Sequence, residues 1–260
     1  MPQHYLRQFT RNHKIGVALT EPYRYIGPNK PESQCKANYF YRQGDDDSTD
    51  NWLQHVENET AGLLKKVSTD RSMSDEELVA MRMIAVIFYL RTRKTAEIAK
   101  LPFKRDADMV IKGAIDRGDL PAPPGGWRPG LMDISGMSGA LLKDQLVPCW
   151  MEMHTLEQKF LTPKNKSKQF ITSDHPVVLL NQLLDKGDGK RSFSGFSRSG
   201  FQMVFPLSPE SCLFFYDPKV YKVGNRRDRL GRVLEPRNYL IQSRMHATSS
   251  IPSNEVFDFS

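Results

Sequence analysis

QFITSDHPVVLLN, residues 169–181, is the stretch on which the fold turns. Phe170 and Ile171 enter as an apolar run. Thr172, Ser173, Asp174 and His175 interrupt it, and Val177 to Leu180 leave as a second apolar run. The pattern predicts a buried strand over 170–180, broken by a tight turn at 173–176. Ser and Asp side chains accept backbone N–H bonds in such turns, and Pro176 fixes the exit. A carboxylate, an imidazole and two hydroxyls thus fall within four residues beside a core.

Downstream, residues 186–200 are polar and glycine-rich and predict a mobile loop. Residues 201–207 and 212–216 predict two strands joined by a turn at Ser208, Pro209 and Glu210. Upstream, residues 149–156 alternate loosely and predict another strand. Residues 164–168 predict a basic turn leading back to the central stretch.

The N-terminal portion has helical periodicity instead. Residues 1–9 predict a short helical turn, 14–19 and 38–41 short strands, and 21–31, with three prolines, a loop. Residues 44–50, GDDDSTD, predict a solvated acidic loop, because contiguous carboxylates do not converge on one point. Asp50 predicts an N-cap for a helix over 51–67. Ser74 and Glu77 form a capping-box pattern, which opens a mostly buried helix over 75–99 ended by Pro102. Residues 106–116 predict a third helix and 132–146 a weak one. The segment 119–130, with four prolines and three glycines, separates a helical half (1–118) from a mixed half (131–260). A last helix is predicted over 237–249 and a strand at 256–257. This segregation predicts one α+β domain, an N-terminal helical layer packed on a small, mainly antiparallel sheet.

The chain has 260 residues and a formal charge of +7, which attracts polyanions, so nucleic acid is one candidate partner. Its densest basic knot is RRDRLGR, with Arg226, Arg227, Arg229 and Arg232 in a glycine-punctuated loop. Either that loop docks a polyanion or it is simply solvated. Cys35, Cys149 and Cys212 are single and far apart, which argues against a disulfide framework or a structural zinc site. No apolar run approaches the ~20 residues that span a bilayer. The N-terminus MPQHYLRQF lacks the apolar core of a signal peptide. The expectation is a cytoplasmic protein with no membrane partner.

In order, YLRQF, HVENETAGLLKKV, DEELVAMRMIAVIFYLRTR, FITSDHPVV and FPLSP resemble the bacterial family known as domain of unknown function 4238. The resemblance runs from about Pro2 to Ile251 and implies a common fold, with no established reaction. It places Glu57 at the family's helix glutamate, Arg91 at the arginine closing the long helix, Asp174 in the SDxP turn and Asn238 at the start of the last helix. The chain departs from the pattern at four places. The His-Tyr pair that usually precedes Pro2 and Gln3 is not in this chain, and His4 is out of register with it. Phe88 stands where Gln is common, Arg93 where Pro is common, and His175 where Asn is common.

Asp174, His175, Glu57 and Arg91 are the candidate catalytic residues. If they converge, Asp174 and Glu57 could hold a divalent cation and Arg91 could steady a phosphate, the parts of a hydrolase acting on nucleic acid or a phosphate ester. The alternative is a non-catalytic binding or regulatory module. There the turn is merely capped and Glu57 pairs with Arg91 because a buried charge needs a partner. No HExxH, GxSxG or Walker spacing decides between them. His4, His13, His55, His154 and His246 are scattered singly and read as surface or core residues.

Overall fold

The protein, seen in a computed structural model, is described over residues 1–20, 22–34, 48–126, 137–165, 167–184, 195–221, 226–227 and 233–234. Its centre is the hairpin of β5 (Gln202–Ser208) and β6 (Ser211–Tyr216), as the apolar runs and the Pro209–Glu210 turn predict. β3 (Glu157–Leu161) pairs with β6 and β4 (Val178–Leu180) with β5, giving an antiparallel sheet of order β3-β6-β5-β4.

Period-two alternation sends the side chains of β5 and β6 to opposite faces. Met203, Phe205, Leu207, Leu213 and Phe215 join the main core with the helices, and Val204, Cys212, Phe214 and Tyr216 pack on the other side. Both faces of the central hairpin are therefore covered, and every residue of β6 is buried.

The helical layer comprises α1 (Gln3–Leu6), α2 (Ser48–Asp70), α3 (Asp75–Leu90), α4 (Arg93–Asp116) and α5 (Met137–Met153). β1 (Ile15–Thr20) and β2 (Tyr23–Asn29) form a separate antiparallel hairpin, and β7 (Arg226–Arg227) pairs with β8 (Val233–Leu234). The architecture is α+β. The Ser74–Glu77 capping box forms in full at the start of α3. Residues 84–90 of α3 are all buried, as are Met81 and Arg82, so this helix is the spine of the layer. Arg82, buried on it, donates Nη2–H to the Leu156 carbonyl at 2.8 Å, tying α3 to the entry of β3. Among the described residues no helix is long and apolar enough to cross a membrane.

Several elements differ from expectation. Residues 149–153 lie in α5, and the strand begins later, at Glu157. Leu142, Leu146, Cys149 and Met153, spaced 4, 3 and 4 apart, all face the core, a helical stripe that loose alternation mimicked. The helix predicted over 75–99 is two helices, broken between Leu90 and Arg93 where Thr92 caps α4. α4 then runs through Pro102, so neither the stop at Pro102 nor a separate helix from 106 exists. Residues 23–29, inside the segment expected to be a loop, form a strand despite Pro28. Pro28 is tolerated because β2 is an edge strand, and Gly27, at φ 94°, sits at an irregularity in the ladder. Only 178–180 of the central stretch is strand. Asp50 lies inside the first turn of α2 rather than capping it. The expectations over 38–41, 237–249 and 256–257 lie outside the described residues.

Gly200 closes the connection into β5. Its φ is 80°, its N–H donates to Asp217 Oδ2 at 2.9 Å, and an added Cβ would lie 2.8 Å from Leu183 Cβ and 2.9 Å from Asn181 Oδ1. The turn at 195–200 is thus built, not loose. Gly200→Ala should lower the unfolding free energy by roughly 2–4 kcal/mol, the left-handed penalty plus overpacking. Gly62, exposed inside α2 with nothing near its Cβ position, should behave oppositely. Gly62→Ala should raise stability by about 0.5–1 kcal/mol. Denaturant unfolding of both variants checks the pair.

Candidate functional site

Thr92 organises the polar chemistry. As the N-cap of α4 its Oγ1 accepts from the Thr95 N–H at 3.3 Å, while Thr95 Oγ1 donates to the Tyr89 carbonyl at 2.8 Å. That satisfies the end of α3 and the start of α4 in one step. The residue just before it, Arg91, is the C-cap of α3 and emerges from the buried run at the edge of the layer.

There Arg91 meets Glu57 of α2. Nη1 and Oε1 are 2.6 Å apart, and the side chains are only 11% and 25% exposed. The guanidinium carbon also lies 5.9 Å from the centre of the Phe88 ring. Phe88 is the residue that stands where the family commonly has Gln; its ring packs against Tyr5 and Phe205.

His4 is the residue that sequence reasoning missed. It sits half-buried on α1, within electrostatic reach of both Glu57 and Arg91. Burial lowers its pKa from 6.5; Glu57 opposes the shift, and Arg91 and Arg7 add to it. Its Nε2 is buried with no hydrogen-bond partner among the described residues, and so is Gln3 Oε1 beside it. α1 is stapled in place by Tyr5, whose hydroxyl lies 2.8 Å from Thr172 Oγ1 and donates to the Pro206 carbonyl at 2.8 Å. No local signal marks His4, because its neighbours come from a helix about fifty residues away and from the end of the next.

The SDHP turn is an ST-type turn. The His175 N–H donates to Ser173 Oγ at 3.1 Å, and that hydroxyl donates to the His175 carbonyl at 2.9 Å. The two candidates in it part company. Asp174 is exposed. His175 turns inward, with Nδ1 2.6 Å from Thr92 Oγ1 and its ring 5.5 Å from that of Tyr89. Burial, with Lys94 nearby, pulls its pKa down to about 4 against the opposing effect of Asp174. The neutral His175 ring and the Thr92 hydroxyl share this hydrogen bond, and the ring tautomer sets which of them donates.

The structure therefore joins Glu57 to Arg91 directly, and His175 to the residue that follows Arg91. Glu57 is committed to a guanidinium, and among the described residues no group of three or more His, Cys, Asp or Glu side chains is placed to hold a metal ion. The donor set does not fit a metal centre. Cys149 and Cys212 are core thiols whose pKa values burial pushes up, Cys149 to about 11. Arg226 and Arg227 lie on β7, paired with β8, rather than in a loop. Arg229 and Arg232 lie outside the described residues.

A family model described as protein of unknown function (DUF4238) matches residues 1–115 and 140–257. No curated protein and no solved structure matches the chain.

Breaking the ion pair from the glutamate side leaves a mostly buried charge. Glu57→Gln should lower stability by roughly 3 kcal/mol, the low end for such pairs because Glu57 is partly exposed. In the double variant Glu57→Gln/Arg91→Met much of that loss should return, as chemical denaturation would show. His175 sets a pH dependence. Its folded pKa lies below its unfolded value, so the unfolded chain binds the proton first as pH falls. Stability should be full above about pH 6.5 and decline toward pH 4, by up to about 3 kcal/mol. His175→Asn should flatten that part of the stability–pH curve.

Proposed function

The chain belongs to the DUF4238 family of proteins of unknown function, and from that premise we propose that it is a hydrolase acting on nucleic acid or another phosphate ester at the α1–α2–α3 junction. The observation behind this reading is His4, a half-buried histidine with a depressed pKa and an unpartnered ring nitrogen beside the Glu57–Arg91 pair. A buried polar atom without a partner is uncommon and invites a water or a ligand atom. A neutral imidazole at pH 7 is a general base. A guanidinium braced by a carboxylate presents a fixed fork to a phosphate.

In this reading Arg91 holds the phosphate oxygens. His4 Nε2 takes the proton of a water as its oxygen attacks phosphorus. The P–O bond to the leaving group breaks with its electron pair on that oxygen, which is protonated from solvent. Asp174, exposed in the turn bonded to Thr92 through His175, is the carboxylate not engaged by Arg91 and serves as the second candidate base. No step runs through a metal.

The alternative, a non-catalytic binding or regulatory module, is favoured by one observation. Glu57, Arg91, Thr92 and His175 all have structural partners. The two readings separate in a turnover assay. Purified protein is incubated with RNA, single-stranded DNA and bis(p-nitrophenyl) phosphate, with and without magnesium and manganese. Cleavage should persist in chelator, and His4→Gln should lower kcat by ~10²–10⁴-fold. Asp174→Asn run alongside assigns the base: a loss there with His4→Gln unaffected moves the role to Asp174. Cleavage that requires the metal overturns the metal-free step, and no turnover of any substrate leaves the binding module. Because the His4 pKa is lowered, the wild-type rate should fall only below about pH 6.5.

A further inference from the structure

The β1–β2 hairpin is tied in at its root and exposed beyond it. Ile15 packs against the main core, and Arg11 and Lys14 exchange backbone hydrogen bonds at 2.9 and 3.0 Å. Toward the tip, Leu19, Tyr23, Tyr25 and Ile26 are 44%, 44%, 40% and 50% exposed. A two-stranded hairpin is marginal in water on its own, so large exposed apolar side chains on one call for a function.

Tyr23 and Tyr25 are two residues apart on β2, so both rings leave the same face, separated by ~6.7 Å along the strand. The cross-strand partner of Tyr25 is Ala18, a small residue that leaves that face low around the ring. The spacing is about twice the ~3.4 Å rise of a nucleic-acid strand. Lys14, Arg24 and Lys30 are exposed along the same hairpin, and none of them is in an ion pair among the described residues. Aromatic faces interleaved with unneutralised cations are what a single strand needs: a π surface for each base and a positive charge for the phosphates.

We propose that the β1–β2 hairpin is a docking arm for single-stranded nucleic acid, with Tyr23 and Tyr25 stacking bases and Lys14 and Lys30 facing phosphates, while Arg24 lies on the opposite face. Charge complementarity selects this partner. The segment between Arg11 and Lys30 contains four Lys and Arg against one Glu. The arm is separate from the Arg91 site, and its binding is read without turnover.

Fluorescence anisotropy with a labelled ~15-nucleotide single strand and the matching duplex, together with sedimentation of anionic phosphatidylserine vesicles, tests it. The single strand should bind more tightly than the duplex. Tyr23→Ala/Tyr25→Ala should weaken single-strand binding by ~10–100-fold, and Tyr23→Phe/Tyr25→Phe should retain it. Lys14→Ala and Lys30→Ala should each reduce the log–log salt slope by about 0.7, and Arg24→Ala, on the opposite face, should leave it unchanged. Unchanged thermal midpoints confirm that the variants fold. His4→Gln should bind the single strand like wild type, so loss of cleavage with intact binding counts against the hydrolase alone. Equal single-strand affinity of wild type and Tyr23→Ala/Tyr25→Ala overturns the arm. So does vesicle binding that the double variant abolishes while no oligonucleotide binds.

Discussion

One hydroxyl governs the polar half of this molecule. Thr92 follows a helix that is buried over its last seven residues and starts another, and it does so next to the imidazole of His175. Had α3 continued through this point, Arg91 would lie in mid-helix, with its carbonyl bonded forward and its side chain fixed by the helical rotation alone. The break lets Arg91 turn toward Glu57. It also gives the SDHP turn a docking point, so the sheet connection and the helical layer are fixed against each other.

Much of the fold was legible because it is written locally. The Ser74–Glu77 box needs only three intervening peptide units, and the 201–207 and 212–216 runs announce a hairpin by alternation and a proline turn. The site was less legible, since its pieces meet only through tertiary packing. Glu57 and Arg91 could be named because the family resemblance marks both positions, and a buried charge requires a partner. His4 could not, because nothing within its own segment is unusual. Two misreadings were avoidable in retrospect. Thr92 is a good N-cap residue, and the family's preference for Pro at position 93 fits the first residue of a helix, where proline is favoured. The Leu142–Leu146–Cys149–Met153 stripe was hidden by overlap with loose alternation, which a short window cannot tell apart.

The sheet explains why chemistry gathers on the helical side. With both faces of β5 and β6 covered, the sheet offers almost no exposed polar surface at its centre. Polar side chains collect where helix ends leave unsatisfied backbone groups, and the α3–α4 junction is such a place. The main core beneath it is aromatic, with Tyr5, Phe88 and Phe205 in mutual ring contact. That gives a low-polarity floor under the His4–Glu57–Arg91 group and strengthens the electrostatic interactions above it.

α1 is four residues long, too short to persist as a free helix, since nucleation alone disfavours it. What holds it is the Tyr5 hydroxyl, bonded to residues 167 and 201 positions away in the sequence. Contacts of such separation close long loops, whose entropy the folded packing must offset. The histidine next to Tyr5 is therefore placed by tertiary contacts rather than by its own helix. A chain that has lost those contacts keeps Glu57 and Arg91 but not the placement of His4 beside them.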